Sequence, residues 1–282
     1  MTRSLFDKLL DLALEEDLGH GDITTDSVVP ADAKATAKVL AKQPMVVFGL
    51  RHFSEVFYRL DARINIERLV EDGAPVAPGT VVANLSGPAR AILTGERTAL
   101  NLLMRLSGIA TMTRAMSTAL RDYPNCRLLD TRKTTPGMRS LEKEAVRAGG
   151  GANHRMGLFD GVLIKDNHIA VAGGVAEAIR RAKAGNHHLV KIECEVVDIP
   201  GVEAAISAGA DAILLDNMDD ATTAQAVKLI RAAGRPIFIE ASGNMNIQRI
   251  PRVAALGVDG ISVGALTHSA TSVDLSLEFQ PA

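Results

Sequence analysis

The sequence predicts an α/β protein, on three observations. Beyond residue 125, short apolar runs alternate with Ala-rich helical stretches, the rhythm of strands joined by helical crossovers. The last four strand ends, at Glu195, Asp216, Glu240 and Val263, fall 21 to 24 residues apart, one βα unit each. Residues 34–86 have another texture, a period-two alternation broken by Pro and Gly, which predicts short half-buried strands. Short apolar strands with helical crossovers imply a parallel sheet. Six or more such units without a reversal favour a closed barrel over an open doubly wound sheet.

The elements follow in order. Leu5, Leu9, Leu12 and Leu14, with charges between them, predict an amphipathic helix over 4–17, which the Gly19-His20-Gly21-Asp22 run ends. The alternating segments at Lys34–Leu40 and Arg63–Leu69 read as strands, as does the Pro-punctuated 73–85, with one helix at 49–60. Residues 91–121 are helical by composition, and Ser107-Gly108 is expected to divide them into two helices. A charged helix follows the Pro136-Gly137 turn; Lys143 and Arg147, at helical spacing with Glu142 and Glu144, read as its solvated face. The later strands are expected at Arg127–Asp130, Gly161–Lys165, Val190–Glu195, Ala212–Asp216, Pro236–Glu240 and Gly260–Val263, with helices at Gly174–Ala184 and Thr222–Ala233. The alternation from Asp274 to Phe279 reads as a strand returning to the first part of the chain.

Composition excludes several classes. The 282 residues are 47% apolar and 23% charged, enough for a sizeable core. With no Trp, aromatics at 3% and a pI near 6.4, neither base stacking nor a general nucleic-acid partner is expected. No apolar run reaches membrane-spanning length and the N-terminal helix carries acids, so neither a membrane partner nor a signal peptide is expected. Cys126 and Cys194 have no metal-ligand spacing and read as reduced, buried thiols of a cytoplasmic protein.

The charged residues point to an anionic ligand. Between Arg127 and His168 lie eight Lys or Arg and five Asp or Glu, an excess of plus three in a chain of net charge −2. Arg132, Lys133 and Lys165 follow predicted strands, opposite Glu195 and Asp216 at two others, and barrel active sites are built from that face. By period two, Lys191, Glu193 and Glu195 share one face of their strand, which requires either a polar cavity or an internal salt-bridge layer. Arg139 could bind phosphate or cap its turn. His20 and His52 read as surface or packing residues and His187-His188 as an exposed loop, whereas His154 gains weight from its place between a Gly loop and Arg155.

Eight motifs occur in fixed order: EDLGHGDITTD, TGERTALNLLMRLSGIAT, DTRKTTPGMR, GGGANHRMGLFDGVLIKDNHI, ECEV, LLDNM, EASGN and SVGALTHS. Together they span nearly the whole chain, which resembles the quinolinate phosphoribosyltransferases. The resemblance implies an N-terminal α/β sandwich domain (residues 1–112), an incomplete parallel α/β barrel (113–270, TIM-like) and a C-terminal strand (271–282) returning to the first domain. It also implies a Mg²⁺-dependent condensation of quinolinate with phosphoribosyl pyrophosphate, giving nicotinate mononucleotide, pyrophosphate and CO₂ in de novo NAD biosynthesis. Carried over residue by residue, Arg97, Arg132, His154 and Arg155, with Lys133 and Lys165 nearby, would meet the two carboxylates of quinolinate. Thr131 and Arg139 join them as substrate-binding positions. The backbone at Ser242-Gly243-Asn244 and Val263-Gly264-Ala265 would bind phosphate. Glu195 and Asp216 would hold Mg²⁺, directly or through water, and with Lys133 and Lys165 make up the catalytic set.

The family works as a homodimer, in some members as a hexamer of dimers, and the resemblance implies that Arg97 reaches the barrel of the partner subunit to make shared active sites. Three rival readings stand beside this one. A Schiff-base aldolase would use Lys165 at its strand end, though the neighbouring Arg cluster speaks against it. A non-catalytic binding homologue would leave Glu195 and Asp216 without a role. A related phosphoribosyltransferase would take another acceptor.

Overall fold

The computed structural model describes residues 4–281. Its first stretch gives α1 (Leu5–Leu18), α2 (Ile23–Val28), β1 (Lys34–Ala41), β2 (Met45–Val46), α3 (Leu50–Leu60), β3 (Asn65–Arg68), β4 (Pro75–Val76), β5 (Val81–Pro88) and α4 (Ala89–Ala119). Then come β6 (Arg127–Leu129), α5 (Arg139–Ala148), β7 (Val162–Ile164), α6 (Asp166–Ala172), α7 (Val175–Gly185), β8 (Ile192–Val196) and α8 (Ile199–Ala208). The last stretch gives β9 (Ala212–Asp216), α9 (Asp220–Ala232), β10 (Phe238–Ser242), α10 (Arg249–Ala254), β11 (Gly260–Ser262), α11 (Ala265–His268) and β12 (Leu275–Pro281). These elements form two compact units. The first takes in the chain to Arg114, Thr134–Gly150 and the chain from Leu266; the second takes in Ala115–Lys133 and Gly151–Ala265.

The first unit is built on a four-stranded sheet of order β12-β1-β5-β3, whose pairings are all antiparallel. Period-two patterning sets its faces: Ala35, Ala37, Val39 and Ala41 of β1 are buried, while Lys34, Thr36 and Lys38 are exposed. The buried face packs with Leu10 and Leu14 of α1, Phe53, Val56 and Phe57 of α3, and Ile92, Leu100 and Leu103 of α4. Apolar burial on this scale stabilises each such side chain by about 1.5–3 kcal/mol. His52 packs edge-on to Phe6, ring centroids 4.8 Å apart, in the packing role expected of it.

Three expectations change in this unit. The run expected to split at Ser107-Gly108 is one continuous helix, α4. Gly108 is there for closeness, not for a break: a Cβ would collide with the Thr271 carbonyl. Ser107 Oγ meanwhile accepts from the Phe48 N–H at 3.0 Å. The solvated face expected on α5 holds only in part: Arg147 is exposed and Glu144 half-buried, but Glu142 is 0% and Lys143 1% exposed. The Glu142 carboxylate accepts from Arg105 at 3.0 Å, from the Thr135 N–H at 3.1 Å and from the Thr135 hydroxyl at 2.8 Å, and these bonds make its burial tolerable. Finally, 134–150 and 266–270, expected within the barrel segment over 113–270, belong to the first unit, where the returning C-terminal strand expected over 271–282 pairs with β1 as β12.

In the second unit six parallel strands run in the order β6-β11-β10-β9-β8-β7. The last strand in sequence thus pairs with the first, which is a barrel's order and not that of an open doubly wound sheet. Among the described residues β6 and β7 do not pair, so the barrel is incomplete on that side; only a bridge from Leu129 to Ala152 extends β6 there. Each strand is short, and β9 and β10 end on a polar residue, Asp216 and Ser242. β10 runs on to Ser242, so Glu240 is in mid-strand and only 1% exposed, an interior position and not the strand end expected for it. Cys126 and Cys194 are free and buried, and burial pushes both thiols up to about 12.

Candidate active site

The strand ends of the second unit carry the site. Immediately after β6, Asp130 is fully buried. Its carboxylate accepts from the Asn153 side chain at 2.6 Å and from the His154 N–H at 2.8 Å. The bond from Ala152 N–H to the Leu128 carbonyl, 2.7 Å, ties the same segment to β6. Asp130 therefore fixes the Asn153–Arg155 segment, a role the sequence reading did not assign to it. Its signal was present, an acid closing an apolar run one residue before Thr131-Arg132-Lys133. Thr131 sets the following turn, its hydroxyl accepting from the Lys133 N–H at 3.0 Å.

Arg132 and Arg155 are both partly buried, and the Nε of each lacks a hydrogen-bond partner among the described residues. Desolvation and the neighbouring Arg132 charge lower the Arg155 guanidinium below its ordinary value. One arm of Arg155 donates to the Gly161 carbonyl at 2.9 Å, which holds its stem in place. Two like charges with unused, desolvated donors are costly unless an anion joins them.

Opposite them, Lys165 Nζ donates to Glu195 Oε2 at 2.9 Å, from the end of β7 to the end of β8. Asp216 ends β9, and its Oδ2 accepts from the Asn217 side chain at 2.9 Å. Among the described residues the second oxygen of neither Glu195 nor Asp216 takes a hydrogen bond. Beside Asp216 two left-handed residues, Asn217 (φ 53°) and Asn244 (φ 51°), flank the loop at Ser242-Gly243-Asn244. Gly243 is required there, with φ 98° and with the Asn217 side chain where a Cβ would stand. Arg249 straps the two loops together by donating to the Gly243 carbonyl at 2.9 Å and the Met218 carbonyl at 2.8 Å. The second expected phosphate loop is narrower than predicted: the Val263 N–H donates to the Leu129 carbonyl at 2.9 Å, an extension of the sheet ladder. Gly264 and Ala265 follow, with Ala265 at the start of α11.

Below the strand ends lies a cluster that the sequence only hinted at. Glu193 and Glu240, on the interior faces of β8 and β10, meet His154: Nε2 lies 3.0 Å from Glu193 and 3.6 Å from Glu240. Burial and the adjacent Glu193 carboxylate push Glu240 up to about 8. The ligating atoms of these three residues lie within 4.8 Å of one another. Of the charged row expected on one strand face, Glu193 and Glu195 turn inward, but Lys191 is largely exposed and pairs with Asp211 at 3.3 Å. Lys191 precedes β8, so it joins no internal layer.

Two expected site residues belong to the first unit. Arg97 is exposed on α4, with no hydrogen bond or ion pair among the described residues. Arg139 begins α5, and its Nε donates to the Thr134 hydroxyl at 2.9 Å. The remaining expected residues, Thr131, Arg132, Lys133, His154, Arg155, Lys165, Glu195, Asp216, Ser242, Gly243, Asn244, Val263, Gly264 and Ala265, all lie in the second unit.

Comparison with known proteins agrees in extent and kind. Residues 22–107 match the quinolinate phosphoribosyl transferase N-terminal domain, and residues 109–278 match the C-terminal domain of the same family. The chain is 44% identical over 271 residues to a probable nicotinate-nucleotide pyrophosphorylase [carboxylating] of Bacillus subtilis, covering 96% of this chain and 92% of that one. It is 41% identical over 275 residues to the nicotinate-nucleotide pyrophosphorylase [carboxylating] of Mycobacterium leprae, covering 94% of each. The solved nicotinate-nucleotide pyrophosphorylase from Francisella tularensis superposes with a TM-score of 0.92 at 40% identity, over 98% of this chain and 96% of that one. With both of its domains matched and its parallel barrel carrying paired Arg and paired carboxylates at the strand ends, the chain belongs to the quinolinate phosphoribosyl transferase family.

Proposed function

We propose that this chain is a carboxylating nicotinate-nucleotide pyrophosphorylase, which joins quinolinate to the ribosyl carbon of phosphoribosyl pyrophosphate and releases pyrophosphate and CO₂. The observation that carries this reading is the Arg132–Arg155 pair, partly buried with an unused Nε donor on each side chain. A planar dicarboxylate answers both, because the guanidinium fork meets carboxylate oxygens in pairs. Lys133 and Lys165 add charge for the departing pyrophosphate, and the loop at Ser242-Gly243-Asn244 offers backbone N–H groups to a phosphate.

The chemistry follows from charge. The pyridine nitrogen forms a bond to the ribosyl carbon as the bond to pyrophosphate breaks, and the leaving oxygen takes the electron pair. The alkylated ring nitrogen is then cationic. Its charge stabilises the carbanion left on the adjacent carbon when that carboxylate departs as CO₂, and a proton then bonds to that electron pair on carbon. Lys165, fixed by Glu195 at 2.9 Å, holds a positive charge at one side of this mouth. The same ion pair speaks against Lys165 as a Schiff-base nucleophile, whose amine must be free and neutral.

Glu195 and Asp216 fit Mg²⁺. Both offer hard carboxylate oxygens at adjacent strand ends, and each has one oxygen without a hydrogen bond among the described residues. Bound there, the ion would supply charge neutralisation to the pyrophosphate. The His154, Glu193 and Glu240 cluster fits less well, because the His154 ring nitrogen already pairs with Glu193.

We assign the working form as a homodimer with shared sites, or a higher oligomer of such dimers. Leu158 and Phe159 are 73% and 85% exposed, an apolar edge that a second copy would cover, and exposed Arg97 is available to a neighbour. No described helix is long and apolar enough to cross a membrane. Buried free thiols accord with a cytoplasmic protein.

Mass spectrometry of products formed from quinolinate, phosphoribosyl pyrophosphate and Mg²⁺ tests the reading. Nicotinate mononucleotide and CO₂ are expected from quinolinate. Nicotinate should react poorly, because a guanidinium left without its carboxylate costs about 2–4 kcal/mol. Equal turnover of nicotinate would remove the dicarboxylate assignment.

A further inference from the structure

His154 stands one residue before Arg155, and its ring is held by the protein at both nitrogens. The Arg155 backbone N–H donates to Nδ1 at 2.7 Å. A backbone N–H can only donate, so Nδ1 carries no proton, and the ring's proton is on Nε2. Nε2–H then faces Glu193 Oε2 at 3.0 Å, with Glu240 Oε2 at 3.6 Å. The His154 backbone N–H is fixed in turn by buried Asp130 at 2.8 Å.

We infer that Glu193 is a positioning residue: by taking the Nε2–H of a neutral His154 it frees Nδ1 to hold the Arg155 backbone, and so sets the Arg155 guanidinium at the strand-end mouth. His154 is on this account a pin inside the barrel and not one of the cations that meet the substrate. The inference rests on the reading of Arg155 as a ligand of the acceptor's carboxylate. It goes beyond that reading by naming what orients Arg155. The interior carboxylate also has a reason for its place. A metal-bound or substrate-bound imidazole usually relies on an acceptor for its second N–H, and here the same device orients a backbone amide.

Two measurements test it. In the wild-type protein without substrate, nitrogen NMR of the His154 ring at neutral pH should show an unprotonated Nδ1 and a protonated Nε2. A ring protonated at both nitrogens, or at Nδ1 alone, overturns the inference without reference to activity. In steady-state kinetics, Glu193→Leu should raise KM for quinolinate about tenfold, the scale of one lost hydrogen bond, and leave KM for phosphoribosyl pyrophosphate within about twofold. Glu193→Gln should recover most of that loss, since its amide oxygen still accepts the Nε2–H. Equal changes in both KM values, or no recovery with Gln, overturn it. If Glu193→Leu does not fold, the Gln variant and the nitrogen spectrum still decide. A wild-type protein that forms no product from quinolinate would count against the function proposed above, and the ring spectrum would then stand on its own.

Discussion

Replacing Glu240 by Gln should make the protein's stability less dependent on pH, with a predictable sign. Glu240 is 1% exposed in the middle of β10, beside Glu193 and Ser262, with His154 across the barrel interior. Burial and the Glu193 charge raise its carboxyl from an ordinary 4.5 to about 8. A raised folded-state value means that the folded protein binds the proton more tightly than the unfolded chain. The associated stability is therefore fully present below pH 4.5 and is lost as pH rises to about 8. At about 1.4 kcal/mol per unit, the ceiling of the effect is about 5 kcal/mol. Sharing of the proton with Glu193 and entry of water should reduce it to about 2–3 kcal/mol. Gln mimics the protonated form at every pH. The variant should thus match wild type near pH 5 and exceed it by about 2 kcal/mol near pH 8, in urea unfolding followed by circular dichroism. A difference that stays constant from acid to alkaline pH would refute the reasoning, because it would mean that the Glu240 charge is not what burial penalises.

Further outcomes follow from other contacts. Gly108→Ala should destabilise by about 2–4 kcal/mol through collision with the Thr271 carbonyl, although helix propensity alone favours Ala by about 1 kcal/mol; a rise in Tm would show that α4 can shift to make room. Arg249→Ala should weaken phosphoribosyl pyrophosphate more than quinolinate, by about tenfold in KM, since it unties the loops at Gly243 and Met218; a loss confined to quinolinate would contradict its place. Arg97→Ala and Lys165→Ala proteins should each be nearly inactive, yet regain about a quarter of wild-type activity when co-refolded, since half of random dimers are mixed and each has one intact site. No recovery, with mixed dimers confirmed by native mass spectrometry, would take Arg97 out of the shared site.

Much of this architecture was legible in the chain because the relevant signals are local. Period-two alternation placed β1 with its Ala and Val inward, and the βα spacing placed β9 at its observed limits, Ala212–Asp216. The cations at Arg132 and Lys165 could be read from the ends of apolar runs. What escaped depends on contacts distant in sequence. Gly108 looks like a helix break until Thr271 is found against it. Glu142 and Lys143 look solvated until Arg105 and Thr135 are brought to Glu142. The Val263 N–H looks available to phosphate until β11 pairs with β6. Glu193 and His154, 39 residues apart, give no mutual signal in sequence, and only the closure of strands around them joins the two.

The pairing of β1 with β12 has a consequence for how the protein is made. Ala35 faces Pro281 in that register, so one edge of the first sheet waits for a strand near the other end of the chain. A ribosome adding about 5–20 residues per second takes on the order of ten seconds to pass from α4 to β12. Throughout that interval β1 presents a row of unpaired amides and carbonyls to the surrounding solution. Such an edge invites pairing with a neighbouring nascent chain. The exposed side chains of β1 include Lys34 and Lys38, and like charges on two approaching copies would repel. Lysines on an edge strand are one of the ways in which sheets discourage such pairing, and β12 then covers this edge of β1 in the folded chain.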